Sequence, residues 1–248
     1  HEQRTGLGGL HDEHPARSHR RLERQVERGT ARQRVGALPR GNALVERPLG
    51  RAVVERRRVV LRLGKGQSIV AVGGRAMTAV FDVADYAAVA ENVARMEKQL
   101  GPIDILVNNA GIPEGMGVKP FRETEPEAWR PYIDVNLYGV LNCCHAVINR
   151  MNARRFGRII TISSGAGTVG LALGVSPYAA GKGGAISFMR HLALENAGFG
   201  VTANTVALGL MNNQNDPSVT AHLAKTIPVG RLGEPEDVGA ICVYLASN

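Results

Sequence analysis

Apolar residues occur in short runs of strand length along residues 76–248. These runs cover 76–82, 103–107, 158–162 and 201–206. Each holds five to seven residues, which suits a strand buried on both faces. The first run is Ala76-Met-Thr-Ala-Val-Phe-Asp82, and Gly101-Pro102 marks the break before the second. The pattern therefore predicts a set of short buried strands.

Longer segments with helical spacing lie between the predicted strands. Residues 85–100 place Val89, Val93 and Met96 on one side of a helix, and further helices are predicted over about 125–151 and 177–197. A last helix opens at Glu234-Pro235, because proline suits the first position of a helix. Strands that alternate with helices predict an α/β fold, with a Rossmann-like, doubly wound parallel sheet and helices on both of its faces.

Residues 1–66 differ from the rest of the chain in composition. They contain no Phe, Trp, Tyr, Ile, Met or Cys, and they hold 15 Arg and one Lys against 7 acidic residues. Residues 67–248 hold 14 basic and 15 acidic residues, so the whole excess of +8 comes from the first segment. Because that segment has little to bury, we expect it to be weakly ordered, with a domain over residues 67–248.

Composition also limits the cellular setting. With 248 residues, 44% of them hydrophobic, the chain can form one sizeable core. No apolar run approaches the ~20 residues of a membrane span, and the N-terminal charges precede no apolar signal-peptide stretch. Three cysteines, two of them adjacent, fit a reducing compartment. We therefore expect a cytoplasmic protein.

The pair Tyr178 and Lys182 carries the strongest chemical signal. Four residues apart on a helix, they lie on one face, one turn apart. A cation beside a phenol favours the phenolate, so such a tyrosine can exchange a proton with a substrate oxygen near neutral pH. A Tyr-x-x-x-Lys spacing also arises by chance, and a helical tyrosine is usually a packing residue. Only the remaining motifs decide between the two interpretations.

Polar residues recur after the predicted strands, where a doubly wound sheet binds its ligands. Asp82-Val83 follows the first strand, as an adenine contact or as an N-cap for the next helix. Asn108-Asn-Ala-Gly111 follows the second, where small residues admit a ligand, although Asn also braces strands or forms turns. Ser163-Ser164 ends the third. Asn136 lies inside the long predicted helix, where Asn is unfavourable unless it holds a partner or is solvated.

In this order, and with Pro228-Val-Gly-Arg-Leu-Gly-Glu-Pro-Glu-Asp-Val238, the motifs resemble the short-chain dehydrogenase/reductase family from about residue 73 to 248. The resemblance implies an NAD(P)-dependent oxidoreductase that interconverts an alcohol and a ketone or aldehyde by hydride transfer, with NAD or NADP as cofactor. It implies Tyr178 as general acid/base, and Lys182 as the residue that favours the tyrosinate and holds the nicotinamide ribose. Ser164, in preference to Ser163, orients the substrate oxygen.

The same resemblance assigns the remaining site residues. Asn136 matches the residue that holds a water in the proton relay. The expected cofactor contacts, besides Tyr178 and Lys182, are Asp82, Val83, Asn108, Ala110, Gly111 and Gly209. No metal is expected. The family also implies a homodimer or homotetramer built on helices 125–151 and 177–197.

The chain departs from the family pattern in three places. The glycine turn that should hold the cofactor's pyrophosphate is not found, since Gly6-Leu-Gly-Gly9 and Gly64-Lys-Gly66 match it poorly. Leu208-Gly209 replaces the usual Pro-Gly, and we expect a C-terminal truncation after the last helix. The Arg-rich content of residues 1–66 resembles an out-of-frame translation of a GC-rich gene, so one hypothesis is a shifted frame upstream of about Gly73. The rival hypothesis is a genuine basic extension.

Two further functions stay open at this point. One is an inactive relic of the family without dinucleotide affinity. The other is nucleic-acid binding through the Arg-rich segment, which has no base-reading motif and no interleaved aromatic residues to support it. The substrate also stays open among a 3-oxoacyl thioester, a hydroxysteroid and a polyol, because residues 211–216, assigned to a substrate-covering loop, name no ligand.

Overall fold

The computed structural model describes residues 73–111, 117–212 and 217–247. All of them belong to one compact unit, Pro48–Asn248. The expectations for residues 1–66, including weak order, the frame hypothesis and the two candidate glycine turns, lie outside the described residues.

Three parallel strands form the sheet of the described chain. They are β1 (Ile105–Asn108), β2 (Gly157–Ser164) and β3 (Val201–Leu208), adjacent in that order. Asn108 pairs with Thr161, and Ser164 pairs with Leu208. Because all three strands run in one direction, the motifs that follow them meet at one edge of the sheet. This is the parallel α/β arrangement that the sequence predicts.

Four helices of 12 or more residues surround the strands in the described part of the chain. They are α1 (Tyr86–Leu100), α3 (Gly139–Arg154), α4 (Ser176–Asn196) and α6 (Pro235–Ala246). The first buries Val89, Val93 and Met96, as its spacing predicts. The last has Pro235 at its first position and a reciprocal capping box between Glu234 and Asp237. Helix positions were therefore read correctly where the pattern was regular.

The long helix predicted over 125–151 is interrupted. The chain passes through a 3₁₀ turn (Pro126–Trp129), the single α turn α2 (Arg130–Ile133) and a π turn (Asp134–Tyr138) before α3 begins. In the π turn the amide of Gly139 donates to the carbonyl of Asp134, five residues back. Apolar periodicity did not reveal this break.

Two other elements differ from prediction. The run 76–82 was predicted as a strand, yet it forms none with any described residue, and Val80 is exposed. A strand needs a neighbour for its backbone groups, which an apolar run alone cannot supply. Helix α5 (Pro217–Ala224) was not predicted.

One buried cluster joins β1, β2 and β3 to α1, α3 and α4. Alternate positions of β2 serve different faces, so Ile159 joins this cluster while Ile160 and Ile162 are buried outside it. Helix α6 contacts β2 and contributes nothing to the cluster, as expected for a helix on the other face. The members of the cluster are Val89, Val93, Ile103, Leu106, Val140, Cys144, Val147, Met151, Ile159, Ala185, Met189, Leu192 and Val201.

The described residues lack two further features. None of their helices is long and apolar enough to cross a membrane. They also contain no group of three or more His, Cys, Asp or Glu side chains that could hold a metal ion.

Candidate active site

Tyr178 and Lys182 lie one turn apart near the start of α4. The Nζ atom of Lys182 is 5.8 Å from the centroid of the Tyr178 ring and donates to the Ile162 carbonyl of β2 at 2.8 Å. The lysine is only 5% exposed, and this burial lowers its pKa to about 8, because desolvation disfavours the charged form. The predicted juxtaposition of a phenol and an amine is therefore present, and the amine is fixed to the sheet.

Gly181, between these two residues, lets α4 approach the π turn. A Cβ at this position would lie 2.7 Å from the Tyr132 carbonyl oxygen and 2.9 Å from the Cβ of Asn136. Real Cβ atoms do not approach other heavy atoms so closely, so any side chain here would separate the two elements. The sequence interpretation named the pair around Gly181 and missed the glycine itself.

Asn136 lies in the π turn and is fully buried. Its Nδ2 donates to the Tyr132 carbonyl at 2.9 Å, whereas its Oδ1 has no hydrogen-bond partner among the described residues. A Cβ built on Gly111 would lie 3.1 Å from this Oδ1 and 2.5 Å from the Nζ of Lys182. The unpaired acceptor and the buried amine therefore flank the same glycine, at the carboxyl end of β1.

Asn108 acts as a brace between strands. Its Nδ2 donates to Thr161 Oγ1 at 3.1 Å and to Cys144 Sγ at 3.5 Å, so the side chain joins β1, β2 and α3. Of the two roles weighed for this residue, the structure contains the bracing one. Asn109 and Ala110 are exposed and Gly111 is half-buried, so within the predicted loop 108–111 only Asn108 is buried.

The two serines at the end of β2 differ in their burial and in their hydrogen bonds. Ser163 is buried and its Oγ donates to the Lys182 carbonyl at 3.3 Å, which ties β2 to α4. Ser164 is half-buried and its Oγ accepts from the amide of Ala166 at 3.2 Å. A hydroxyl that accepts one bond still has its proton to donate. This division agrees with the preference for Ser164 over Ser163.

Asp82 is exposed, and its Oδ1 accepts from the amide of Ala84 at 2.8 Å. The N-cap of α1 is Asp85, whose carboxylate accepts from Ala87 and Ala88, so the capping alternative for Asp82 is wrong. The Nδ2 of Asn142 in α3 donates to the Val83 carbonyl at 2.9 Å. The Asn142 side chain therefore helps to hold this turn, and the carboxylate of Asp82 takes no part in capping α1.

Gly209 directly follows β3 and is exposed, with open space around a Cβ built on it. The chain beyond it is fixed by main-chain bonds from Gly233 to Leu210 at 2.9 Å and from Asn212 to Gly233 at 2.8 Å. Crowding therefore gives no reason for a glycine at 209.

A cavity of about 280 Å³ lies against Tyr178. Its walls come from the chain that follows β1 and from the loop that enters α4, neither of which the sequence interpretation assigned to the site. The lining residues are Gly117, Lys119, Thr124, Glu125, Ala128, Trp129, Tyr132, Gly174, Val175, Pro177 and Tyr178. The only signal for it in the sequence is the aromatic pair Trp129 and Tyr132 just before the π turn.

The family model described as "short chain dehydrogenase" matches residues 50–224. The chain belongs to the short-chain dehydrogenase family. The resemblance inferred from the motifs is thereby confirmed, and the match also takes in residues 50–72, which the motifs did not reach. As a family member, the chain is classed with oxidoreductases that act on CH–OH and C=O groups with NAD(P).

Known relatives cover most of this short-chain dehydrogenase. Acetoacetyl-CoA reductase of Shinella zoogloeoides is 39% identical over 173 residues, which is 68% of this chain and 70% of the relative. A gluconate 5-dehydrogenase from Burkholderia cenocepacia, solved with NADP and tartrate, is 34% identical with a TM-score of 0.67, covering 73% and 72%. A 3-oxoacyl-[acyl-carrier protein] reductase from Brucella melitensis, solved with bound NAD, is 34% identical with a TM-score of 0.69, covering 79% and 78%.

The described residues of this short-chain dehydrogenase fit the nicotinamide half of such a cofactor. Because Gly111 has no side chain, the space beside Lys182 that any Cβ would fill is open. The buried Oδ1 of Asn136, next to the same space, has no hydrogen-bond partner among the described residues. An amine with spare donors and an open glycine suit ribose hydroxyls. The fit concerns only this half, because both candidate pyrophosphate turns lie outside the described residues.

Proposed function

We propose that the chain is an NAD(P)-dependent oxidoreductase that interconverts an alcohol and a ketone or aldehyde, with Tyr178 as general acid/base. The nicotinamide would supply or accept the hydride. Lys182, Asn136 and the backbone around Gly111 would hold that half of the cofactor, and Ser164 would donate a hydrogen bond to the substrate oxygen.

The proton chemistry follows from the surroundings of Tyr178. In reduction its phenol gives a proton to the developing alkoxide, and in oxidation its phenolate takes the proton back. Protonated Lys182, 5.8 Å from the ring centroid, favours the phenolate. The lowered pKa of about 8 leaves this amine protonated at neutral pH and titratable just above it.

The observation that supports the proposal is that two further buried polar side chains, Asn136 and Ser163, lie close to Lys182, the neighbour of Tyr178. The amine of Lys182 and the unpaired Oδ1 of Asn136 flank Gly111, and Ser163 ties the Lys182 backbone to the strand that ends in Ser164. Burying an amine and leaving an acceptor unpaired both cost stability. Packing alone gives no reason to keep them together.

The test compares two tyrosines that lie in the first turns of two helices. Tyr178→Phe is expected to lower kcat by roughly 10²–10⁴-fold, the usual range for general acid–base catalysis, with NADH or NADPH binding unchanged. Tyr86→Phe in α1 removes a hydroxyl that shares a hydrogen bond with His145 and is expected to leave kcat unchanged. Turnover is followed by nicotinamide absorbance on a panel of ketones and alcohols.

Fluorescence titration with NADH and NADPH separates an enzyme from an inactive relic and distinguishes the two cofactors. Micromolar binding of one of them supports the proposal. An absence of binding at millimolar concentration, with the protein folded by circular dichroism, would contradict it. Equal turnover by Tyr178→Phe and the parent chain would remove Tyr178 from the mechanism.

We also propose a homodimer or homotetramer in the cytoplasm. Leu194 and Tyr138, on or next to helices α4 and α3, are large exposed apolar side chains that a partner would cover. Cys143, Cys144 and Cys242 are unpaired, which suits a reducing compartment. Sedimentation at micromolar concentration tests the assembly, and a purely monomeric protein would contradict it.

A further inference from the structure

The loop before α4 and the segment after β1 are joined by a main-chain contact between Gly174 and Lys119. The Lys119 amide donates to the Gly174 carbonyl at 2.9 Å, and Gly174 has a φ of +64°, in the left-handed region. A Cβ on Gly174 would lie 2.7 Å from the carbonyl carbon of Lys119 and 2.8 Å from its amide nitrogen and its oxygen. Only glycine satisfies both the conformation and the contact.

This contact forms one wall of the cavity beside Tyr178. Gly174 and Lys119 both line it, and Val175 and Pro177 continue the wall up to the tyrosine. Trp129 forms another wall of the cavity, and its Nε1 donates to Thr124 Oγ1 at 2.8 Å while its ring stacks on Phe121 at a centroid distance of 4.9 Å. Both walls are therefore fixed by their own contacts before any ligand arrives.

The chemistry of the cavity indicates what it takes. Aromatic, proline and valine side chains line it, and the Oγ1 of Thr124 already has two partners, Trp129 and the Phe121 carbonyl. Lys119 and Glu125 carry opposite charges and are both exposed to solvent, so the lining has no net charge from this pair to favour a charged ligand. A volume of about 280 Å³ lies near the lower end of small-molecule sites. Exposed Val118 and Leu173 adjoin the lining residues in sequence.

We propose that Gly174, through its contact with Lys119, is a specificity-determining residue that shapes this cavity for a compact, mainly apolar group attached to the reacting carbonyl carbon. The inference rests on the proposed function, since it is Tyr178 that places the reacting carbon at the end of the cavity. The substrate class is then a small alicyclic or aromatic ketone, or its secondary alcohol.

The chain contains its own probe of this cavity, because Trp129 is its single tryptophan. Its emission therefore reports binding in the cavity without any turnover. 1-Decalone, a compact bicyclic ketone, is expected to change the emission saturably. Acetone and sorbitol, which lack the bulk or the apolar surface, are expected to give no saturable change at the same concentrations. The titration is run with and without NAD(P)⁺.

Gly174→Ala is expected to weaken 1-decalone binding at least tenfold and to raise its KM by a similar factor, while kcat/KM for acetone, which does not fill the cavity, falls by a smaller factor. The matched control is Gly170→Ala in the same loop, where a Cβ meets nothing within 4 Å and the backbone is not left-handed. A second pair keeps the test decisive if Gly174→Ala does not fold. Ala128→Leu fills the cavity and should weaken 1-decalone binding, whereas Ala172→Leu, also exposed but outside the lining, should not.

The outcomes separate this inference from the proposed function. The inference is supported if 1-decalone binds saturably and if Gly174→Ala or Ala128→Leu weakens this binding, even when no substrate is turned over. An absence of turnover would count only against the proposed function. No saturable emission change in the parent chain, or tighter response to sorbitol than to 1-decalone, overturns the inference. Equal loss on all substrates in Gly174→Ala, with an unaffected Ala128→Leu, also overturns it.

Discussion

Helices α1 and α4 each begin near a tyrosine, yet they are built for different purposes. Helix α1 has a side-chain N-cap at Asp85, a buried apolar stripe and an exposed lysine, Lys98, in its last turn. Helix α4 has no side-chain cap, begins with Pro177 at its first turn, and buries Gly181 and Lys182 in the turn after Tyr178. Helix α1 therefore has the usual features of a surface helix, whereas the first turns of α4 lack several of them.

The difference between α1 and α4 shows where the chain contains residues that lower its stability. A buried amine and a helical glycine are each unfavourable, and α4 has both side by side. In α1 the equivalent turns hold alanine and valine. Residues that cost stability and meet at the end of the sheet are therefore better markers of the site than the tyrosine alone.

The largest expected effect concerns the charge of Lys182. The pKa of Lys182 is about 8 in the folded protein and 10.5 when the side chain is exposed, as in the unfolded chain. Below pH 8 the amine is therefore protonated in both the folded and the unfolded state, and the folded state bears the full free-energy cost of burying the charge. Between pH 8 and 10.5 the unfolded state binds more protons, and stability rises with pH by up to about 3 kcal/mol. Lys182→Met is expected to lack this rise, and Lys98→Met in α1 to keep it.

Urea denaturation between pH 7 and 10.5 measures this effect as the difference between variant and parent. Burial raises the pKa of Cys143 to about 11 and of Cys144 to about 12, so these thiols lower stability as pH rises above 9. That contribution is common to all variants and cancels in the difference. Parallel curves for Lys182→Met and the parent would show that the amine is not desolvated.

Gly181→Ala tests the closeness of α4 to the π turn. The new Cβ would meet the Tyr132 carbonyl, so we expect a displacement of α4 and a loss of kcat of about 10²-fold, the cost of a misplacement near 1 Å. Gly239→Ala in α6 is the control, because its Cβ meets nothing within 4 Å and alanine favours the helix. Unchanged kcat in Gly181→Ala would show that the approach is not required.

Val89→Ala tests the packing helix. Val89 is fully buried in the common cluster, and removing two methyl groups is expected to cost about 2 kcal/mol of unfolding free energy. Urea denaturation measures this loss, and kcat at 25 °C should stay within twofold. A large loss of kcat with intact folding would mean that α1 also shapes the site.

The smallest effect is expected at the cap of α1. Asp85→Ala removes the acceptor for the amides of Ala87 and Ala88 and should lower stability by about 1 kcal/mol, measured by thermal unfolding. Asp82→Ala, which removes only the bond from Ala84, should cost less. Equal losses would contradict the assignment of Asp85 as the cap.

Regular periodicity predicted α1 closely, and the order of motifs predicted which side chains meet at the sheet edge. Val89, Val93 and Met96 follow the helical repeat, and the end of β2 brings Ser163 to α4. Such features depend on local spacing and on strand direction, both of which can be read from residues.

The parts that could not be predicted depend on contacts between distant segments. The sequence around Asn108 is compatible with a ligand contact or with a brace between strands, and only the hydrogen bond to Thr161, 53 positions away, distinguishes the two roles. The strand over 76–82 was inferred from composition, which does not reveal whether a neighbouring strand is present. The contact of Gly174 with Lys119 joins residues 55 positions apart, and no periodicity indicates it.

The π turn over Asp134–Tyr138 has a consequence for insertions and deletions in this gene. A turn closed by a bond from Gly139 to Asp134 holds one residue more than an α turn. Deleting one codon there is expected to turn the π turn into a regular α turn and to leave the buried face of α3 nearly in place, because the extra residue is absorbed within the turn. Deleting one codon inside α3 would instead rotate the rest of that helix by about 100° and move its buried face out of the core, so single-residue deletions should be accepted far more readily in the π turn than in α3.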